Sequence, residues 1–320
     1  MNSHPLTLFG LHGSDEIARL VANRLQVTLA PVEERKFEDG EHKARPLQEV
    51  MGHDVFVLHA LNGDGKESGN DKFCRLLFFC GALRDAGATA VTAVVPYLCY
   101  ARKDRRTKPH DPIVTRYVAA MFESVGVNRV MVVEVHNVAA FENAFRSPTW
   151  HIECAPMLAA HFAPALRGEQ VVAVSPDAGG AKRAEQFRQE LERLTHGDVG
   201  SAYMEKFRSA GVVSGGLLAG DVRGKVAVIV DDLISTGGTL VRAAKACRAS
   251  GATKVFAAAA HGLFINGAHE LFGCDAIDQI VVTNTVPPDN VATQVEAGRL
   301  TVLDASETIA RAISRCHDGI

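Results

Sequence analysis

Short apolar runs rich in valine and isoleucine alternate with amphipathic stretches along almost the whole chain. The runs are Leu6–Gly10, Asp54–His59, Val91–Pro96, Arg129–Val135, Val171–Ser175, Val226–Val230, Lys254–Ala260 and Ile277–Thr283. They are continuous rather than alternating, so they predict strands covered by helices on both faces. Between them Asp15–Leu25, Asn70–Ala86, Pro112–Val125, Gly180–Leu194, Thr239–Ser250 and Ser306–Cys316 read as helices. Strand–helix alternation of this kind gives parallel sheets with right-handed crossovers. The predicted class is α/β.

The pattern also repeats. Arg84-Asp85-Ala86-Gly87-Ala88-Thr89-Ala90-Val91 is similar to Arg248-Ala249-Ser250-Gly251-Ala252-Thr253-Lys254-Val255. Each reads as a helix end, a glycine C-cap and a strand start. The length of 320 residues suits two domains of about 100–200 residues. The expectation is two tandem similar domains, residues 1–149 and 150–304, meeting near Ser147–Glu153.

A hydrophobic fraction of 47% and a charged fraction of 22% fit an ordinary globular protein. A net charge of −3 supplies no global field toward nucleic acid or membrane. No apolar run approaches the ~18 residues of a bilayer span. The start Met1–Pro5 lacks the basic and apolar regions of a signal peptide. The expected location is cytoplasmic, with the seven cysteines as reduced thiols.

The most informative stretch begins at the buried strand Lys225–Val230. Asp231 and Asp232 follow, then Ser235, Thr236, Gly237, Gly238 and Thr239, then an alanine-rich helix. A helix N-terminus offers free backbone N–H groups and a positive dipole end. Gly237 and Gly238 allow a ligand to approach the backbone closely. The hydroxyls of Ser235, Thr236 and Thr239 add neutral donors, so the loop suits a phosphate monoester. The aspartates suit hydroxyl donors or a cation. A phosphate cradle beside two such acceptors describes a sugar phosphate.

Val228–Thr239 resembles the phosphoribosyl diphosphate (PRPP) loop shared by type I phosphoribosyltransferases and PRPP synthetases. Four further segments, in the same order and spacing over nearly the whole chain, resemble the ribose-phosphate diphosphokinase (PRPP synthetase) family. They are Phe37-Glu38-Asp39-Gly40-Glu41, Pro96–Arg106, Glu134-Val135-His136-Asn137 and Val174–Arg183. The resemblance implies tandem domains of the type I phosphoribosyltransferase kind, each a mostly parallel sheet flanked by helices. It implies that the C-terminal helix 305–320 joins the first domain.

It also implies the reaction. The β,γ-diphosphoryl group of Mg–ATP passes to the anomeric hydroxyl of ribose 5-phosphate, giving PRPP and AMP. By that resemblance Phe37, Asp39, Glu41, Arg102, Lys103, Asp104, Arg105 and His136 hold ATP. His136 and Asp177 serve Mg²⁺. Asp231, Asp232, Ser235, Thr236, Gly237, Gly238 and Thr239 hold ribose 5-phosphate. Lys206 and Arg208, at the foot of the Gly/Ser-rich stretch Ser209–Gly216, match the family's paired catalytic cations. That stretch reads as a loop. A homo-oligomer is implied, a hexamer or its dimer building block. The family generally has Gln at the position of Lys103, Asp at Glu134 and Asp at Ser235. Two other readings share parts of this pattern: a phosphoribosyltransferase that consumes PRPP, and a non-catalytic subunit associated with a synthetase.

Overall fold

The structure is a computed structural model that describes residues 4–209 and 212–319, with the side chains of residues 206–216 outside the description. It divides into two compact units. Unit 1 takes Met1–Ile152, Thr285–Pro287 and Asp304–Ile320, and unit 2 takes Glu153–Asn284 and Pro288–Leu303. Among the described residues, no helix is long and apolar enough to cross a membrane.

Unit 1 contains strands β1 (Leu6–Gly10), β2 (Val32–Lys36), β3 (His42–Pro46), β4 (Asp54–Leu58), β5 (Ala90–Val95), β6 (Arg129–Val133) and β7 (Thr149–Ile152). Its helices are α1 (Asp15–Leu25), α2 (Gly69–Asp85), α3 (Val114–Ser124) and α4 (Val138–Ala144). The sheet runs β1-β4-β5-β6-β7, parallel throughout, and β2 and β3 form a separate antiparallel pair. β4 is buried along its whole length, as a central parallel strand requires. Phe9, Val57, Phe79, Val95, Phe122 and Phe141 share its core. Helix α2 starts in a capping box. The Ser68 hydroxyl accepts from Asp71 N–H at 3.2 Å, and the Asp71 carboxylate accepts from Ser68 N–H at 2.8 Å.

The C-terminal helix Ser306–Asp318 packs on α1. Its His317 Nδ1 lies 2.9 Å from the Asp54 carboxylate, whose other oxygen pairs with the Arg129 guanidinium. Asp54 is 1% exposed. One buried acid at the start of β4 thus ties together β6, two strands away, and the C-terminal helix.

Unit 2 contains β8 (Val171–Ser175), β9 (Val199–Ser209), β10 (Val212–Ala219), β11 (Val226–Ile234), β12 (Lys254–Gly262), β13 (Gln279–Thr283) and β14 (Leu300–Leu303). Its helices are α5 (Ala155–Leu166), α6 (Ala181–Thr195), α7 (Gly238–Ala249), α8 (His269–Phe272) and α9 (Ala292–Glu296). The order is β10-β9-β8-β11-β12-β13-β14, with only the β9–β10 pair antiparallel. Both units are α/β sheets flanked by helices, the fold class expected from the alternation.

The sequence repeat has a structural cause. It spans the α2–β5 junction in unit 1 and the α7–β12 junction in unit 2. Gly87 and Gly251 stand at φ 85° and 93°, the left-handed region that glycine enters at little cost. The guanidinium of Arg84 donates to the carbonyls of Ala88 and Thr89 at 2.9 and 3.0 Å. That of Arg248 donates to Ala252 and Thr253 at 3.4 and 2.6 Å. In each unit an acceptor from a nearby loop then starts the strand. Asn128 accepts from Val91 N–H at 2.8 Å, and Asp278 from Val255 N–H at 2.7 Å.

Several elements differ from the sequence expectation. Hairpin β2–β3 is built from Val32-Glu33-Glu34-Arg35-Lys36 and His42-Lys43-Ala44-Arg45-Pro46, which carry too few apolar residues to show a strand pattern. Helix α5 has Pro156 in its first turn, where no N–H is needed, and Pro164 near its end. Those prolines masked it. Val212–Ala219 forms strand β10 where Ser209–Gly216 read as a loop, because pairing with β9 supplies the backbone partners that composition does not suggest. β11 runs on to Ile234 rather than ending at Val230, so Asp231 and Asp232 lie within the strand and pair alongside β12.

Asp54→Ala leaves the Arg129 guanidinium half-stranded and His317 without its acceptor. Breaking a buried pair from one side costs about 3–5 kcal/mol. Urea unfolding should show a loss of that order, and Asp54→Asn, which keeps an acceptor, a smaller one.

Candidate active site

In unit 2 the chain lays down β8, β9 and β10 in one direction, then returns to place β11 on the other side of β8. The order reverses between β8 and β11. Open parallel sheets bind ligands at such a switch point, beyond the carboxyl ends of the strands. The Asp177 loop follows β8 here, and the Asp231–Thr239 segment ends β11.

Asp177 caps the 3₁₀ turn Ala178–Gly180. Its Oδ1 accepts from Gly179 N–H at 2.9 Å and Gly180 N–H at 3.1 Å. Its capping role is therefore present in the structure, beside its position at the crevice. On the other side Asp231 is half-buried and Asp232 is buried. Asp231 Oδ1 accepts from Asp232 N–H at 2.9 Å. Arg183, on the first turn of α6, brings its Nη1 to 3.8 Å from Asp231 and 3.7 Å from Asp232. Burial, then the neighbouring Asp232 carboxylate, push the Asp231 carboxyl well above the usual carboxylate range, and Arg183 opposes them.

Beyond the aspartates, Ser235 to Gly238 turn the chain into α7. Gly237 stands at φ 85°, and a Cβ there would lie 2.6 Å from the Leu271 Cβ. Only glycine fits. The N-cap residue of α7 is Gly237, which makes no side-chain capping bond, so the first turn of the helix is suited to donate its N–H groups to an anion. Thr236 is exposed, and Ser235, Gly238 and Thr239 are half-buried. Thr239 Oγ1 accepts from Arg242 at 3.3 Å.

In unit 1 the candidates gather at the carboxyl ends of β5 and β6. Arg102, Lys103 and Arg105 are exposed, and Asp104 is half-buried. The Lys103 carbonyl accepts from Thr115 N–H at 3.4 Å, which pins the loop to α3. Asn137 Nδ2 donates to Asp104 at 2.6 Å, joining this loop to the one that carries His136. Asn137 also caps α4, accepting from Ala140 N–H at 3.1 Å. His136 is exposed beside it. Glu134, by contrast, is buried and stands at φ 41°, a strained conformation for a side chain of its size.

Phe37, Asp39 and Glu41 form the tip of hairpin β2–β3. Phe37 N–H donates to the Glu41 carbonyl at 2.8 Å, and Gly40 N–H donates to Phe37 at 3.1 Å. Asp39 and Glu41 are exposed, and the Arg35 guanidinium sits 4.7 Å from the centre of the Phe37 ring. Lys206 and Arg208 belong by backbone to β9, and their side chains lie outside the described residues. Asn137 and Arg183 were the positions to which sequence assigned no role. The N-cap pattern before Val138 was the one signal for Asn137, and Arg183 had none beyond its motif.

Among the described residues, no group of three or more His, Cys, Asp or Glu is placed to hold a metal by itself. The Asp231–Asp232 pair nonetheless suits a hard divalent cation. Its donors are carboxylate oxygens, and their mutual repulsion is what a cation would relieve.

Residues 6–126 match the family described as the N-terminal domain of ribose phosphate pyrophosphokinase. Residues 216–320 match the phosphoribosyl synthetase-associated domain. A ribose-phosphate pyrophosphokinase of Fusobacterium nucleatum is 31% identical over 317 residues, 98% of this chain and 96% of the relative. One from Caldanaerobacter subterraneus subsp. tengcongensis is 33% identical over 319 residues, 99% of this chain and 96% of the relative. The chain belongs to the ribose-phosphate pyrophosphokinase family. The crystal structure of phosphoribosylpyrophosphate synthetase from Mycobacterium smegmatis superposes on this family member with a TM-score of 0.86 at 30% identity, covering 99% of this chain and 100% of that one.

The electrostatics of the pair give a pH prediction. The folded chain keeps the Asp231 proton to higher pH than the unfolded chain does. The folded state therefore binds more protons, and stability falls as pH rises from the ordinary carboxylate range toward the raised value. Asp231→Asn removes that slope. Without ligand or divalent cation, its melting temperature should drop less from mildly acidic to mildly alkaline pH than that of the parent protein.

Proposed function

We propose that this chain transfers the β,γ-diphosphoryl group of Mg–ATP to the anomeric hydroxyl of ribose 5-phosphate, giving PRPP and AMP. Family membership over nearly the full chain supports the reaction class. The observation that carries the substrate assignment is the switch-point crevice of unit 2, where a carboxylate pair stands beside an uncapped, glycine-opened helix N-terminus.

In this reading the 5-phosphate lies on Ser235, Thr236, Gly237, Gly238 and Thr239. Asp231 and Asp232 accept from the ribose hydroxyls, directly or through Mg²⁺, and His136 in unit 1 and Asp177 in unit 2 are each assigned a role toward Mg²⁺. The cation shields the phosphate charge when bound. Arg102, Lys103, Asp104, Arg105 and His136 hold the nucleotide, joined by Phe37, Asp39 and Glu41 at the hairpin tip. The sugar's anomeric oxygen forms a bond to the β-phosphorus and loses its proton. The bond from that phosphorus to the oxygen of the α-phosphate breaks, and AMP leaves. Such transfers depend on alignment and charge stabilisation more than on covalent chemistry by the protein. Lys206 and Arg208 are assigned to the transferring group.

The assignment extends to assembly and place. Phe78 on α2 and Tyr117 and Met121 on α3 are 62%, 52% and 48% exposed. Apolar area of that kind on helices suits a homo-oligomer, working in the cytoplasm where both substrates are held.

AMP release from ATP, Mg²⁺ and ribose 5-phosphate should be sugar-dependent, and PRPP with nucleobases should give no nucleotide in the absence of ATP. Well-folded protein that releases no more AMP with sugar than without it rules out the reaction. Lys206→Ala should lower turnover by roughly 10³-fold or more, on the scale of other phosphoryl-transfer cations, with little change in melting temperature. Activity surviving within a few-fold removes Lys206 from the mechanism.

A further inference from the structure

Hairpin β2–β3 stands apart from the five-stranded sheet of unit 1, and two strands by themselves are marginal in water. Its direction therefore depends on what its inner face touches. The register pairs Val32 with Pro46, Glu34 with Ala44 and Lys36 with His42. Alternation puts these six on one face and Glu33, Arg35, Lys43 and Arg45 on the other. On the outer face Glu33 pairs with Arg45 and Lys43 in solvent, which joins one strand to the other. On the inner face Val32 and Ala44 pack on the unit 1 core, and His42 stacks on Phe78 of α2 with ring centres 5.8 Å apart. Glu34 sits between these contacts. Its Oε2 accepts from His12 N–H at 2.8 Å, and its Oε1 lies 3.4 Å from Arg75 Nε. One side chain thus joins the hairpin to the β1–α1 loop and to α2.

Arg75 is a fixed post for that contact. Both its Nη groups donate to the Glu67 carboxylate, Nη1 at 2.9 Å, a forked pair that holds the guanidinium plane. The side chains of Arg75, Glu67 and Glu34 are 6%, 11% and 21% exposed, so solvent screens them less than the outer-face pairs. Three residues beyond Glu34 the chain reaches the tip, which is closed on itself. Phe37 N–H donates to the Glu41 carbonyl at 2.8 Å, and Glu41 N–H donates to Asp39 Oδ1 at 3.1 Å. A tip closed in this way moves with its strands, so it points where Glu34 holds them.

We propose that Glu34 is a positioning residue for the nucleotide site: held by Arg75 and the His12 amide, it aims the hairpin tip that carries Phe37, Asp39 and Glu41. This rests on the reading of that tip as part of the ATP site. The assignment predicts an effect on the nucleotide that runs through the tip and leaves the sugar alone.

The test is steady-state kinetics for ATP and ribose 5-phosphate, with melting curves, on the parent protein, Glu34→Ala, Phe37→Ala and the double variant. Glu34→Ala leaves Arg75 paired with Glu67, so no buried charge loses its last partner. Its KM for ATP should rise about fivefold or more, because apparent affinity falls with the fraction of molecules whose tip is in place. KM for ribose 5-phosphate should stay within about twofold and the melting temperature within a few degrees, as for a change that creates no cavity and strands no charge. Phe37→Ala should also raise KM for ATP, and adding Glu34→Ala to it should raise it little further, since residues acting through one contact are not additive. If Glu34→Ala does not fold, Glu34→Gln takes its place, keeping an acceptor for His12 and dropping the charge that faces Arg75. A KM for ATP within twofold of the parent in the Glu34 variant, while Phe37→Ala raises it, overturns the role of Glu34 alone. Equal rises in both KM values, or full additivity with Phe37→Ala, also overturn it, since Glu34 would then act on the fold and not through the tip. An unchanged KM for ATP in Phe37→Ala overturns the reading of the tip, and the role with it. A parent protein without sugar-dependent AMP release overturns the reaction and the role together.

Discussion

Parallel pairing places every strand-to-helix loop of a sheet along one edge. In unit 2 the strands β8 and β11 run side by side in the same direction, although the chain makes a hairpin detour through β9 and β10 between them. That pairing brings Asp177 near Asp231 in the fold, though they are far apart in the chain. It also opens a gap, because the connections leaving β8 and β11 travel to opposite sides. The aspartates, the glycine turn, the uncapped helix and the bridging arginine all take their positions from this gap. In unit 1 the same rule gathers the Arg102–Arg105 loop and the His136 loop at the ends of β5 and β6, where the Asp104–Asn137 hydrogen bond ties them.

Much of this was legible in the residues. Val171–Ser175 and Leu6–Gly10 have the bounds read from their apolar runs, because buried parallel strands leave no polar face to confuse the pattern. The repeat around Gly87 and Gly251 was visible as letters, and the structure shows the arginine clamp that requires them. Hairpin β2–β3 was invisible for the opposite reason. Its strands carry charges such as Glu33, Arg35, Lys43 and Arg45, and ion pairs such as Arg45 with Glu33 at 2.7 Å join them across the pair. Partners of that kind have no periodic signature in one sequence.

The candidate site divides the same way. Acids, hydroxyls and glycines at the end of β11 announce a ligand by type and order. What they do to one another is a matter of distance. The span of Arg183 and the bond between Asp104 and Asn137 depend on residues remote in sequence, and the upward push on Asp231 depends on burial as well as on the adjacent Asp232. The strained backbone of Glu134 is likewise a property of φ, which composition does not carry. Its position, where the family generally has Asp, now reads as a buried acid next to an exposed histidine rather than as a surface change.

The arginine clamps lie at the amino ends of β5 and β12, the edge opposite the loops that leave the carboxyl ends of those strands. Each guanidinium fastens a helix terminus to the strand it feeds, using backbone carbonyls and one amide or carboxylate from the residue just before the following strand. Such joinery is indifferent to what happens at the other end of the strand. Two α/β units can therefore share the same fastening while one carries a basic loop and the other a glycine turn at the far end of the strands. An α/β unit fastened in this way can vary its rim while the opposite edge keeps the same bonds.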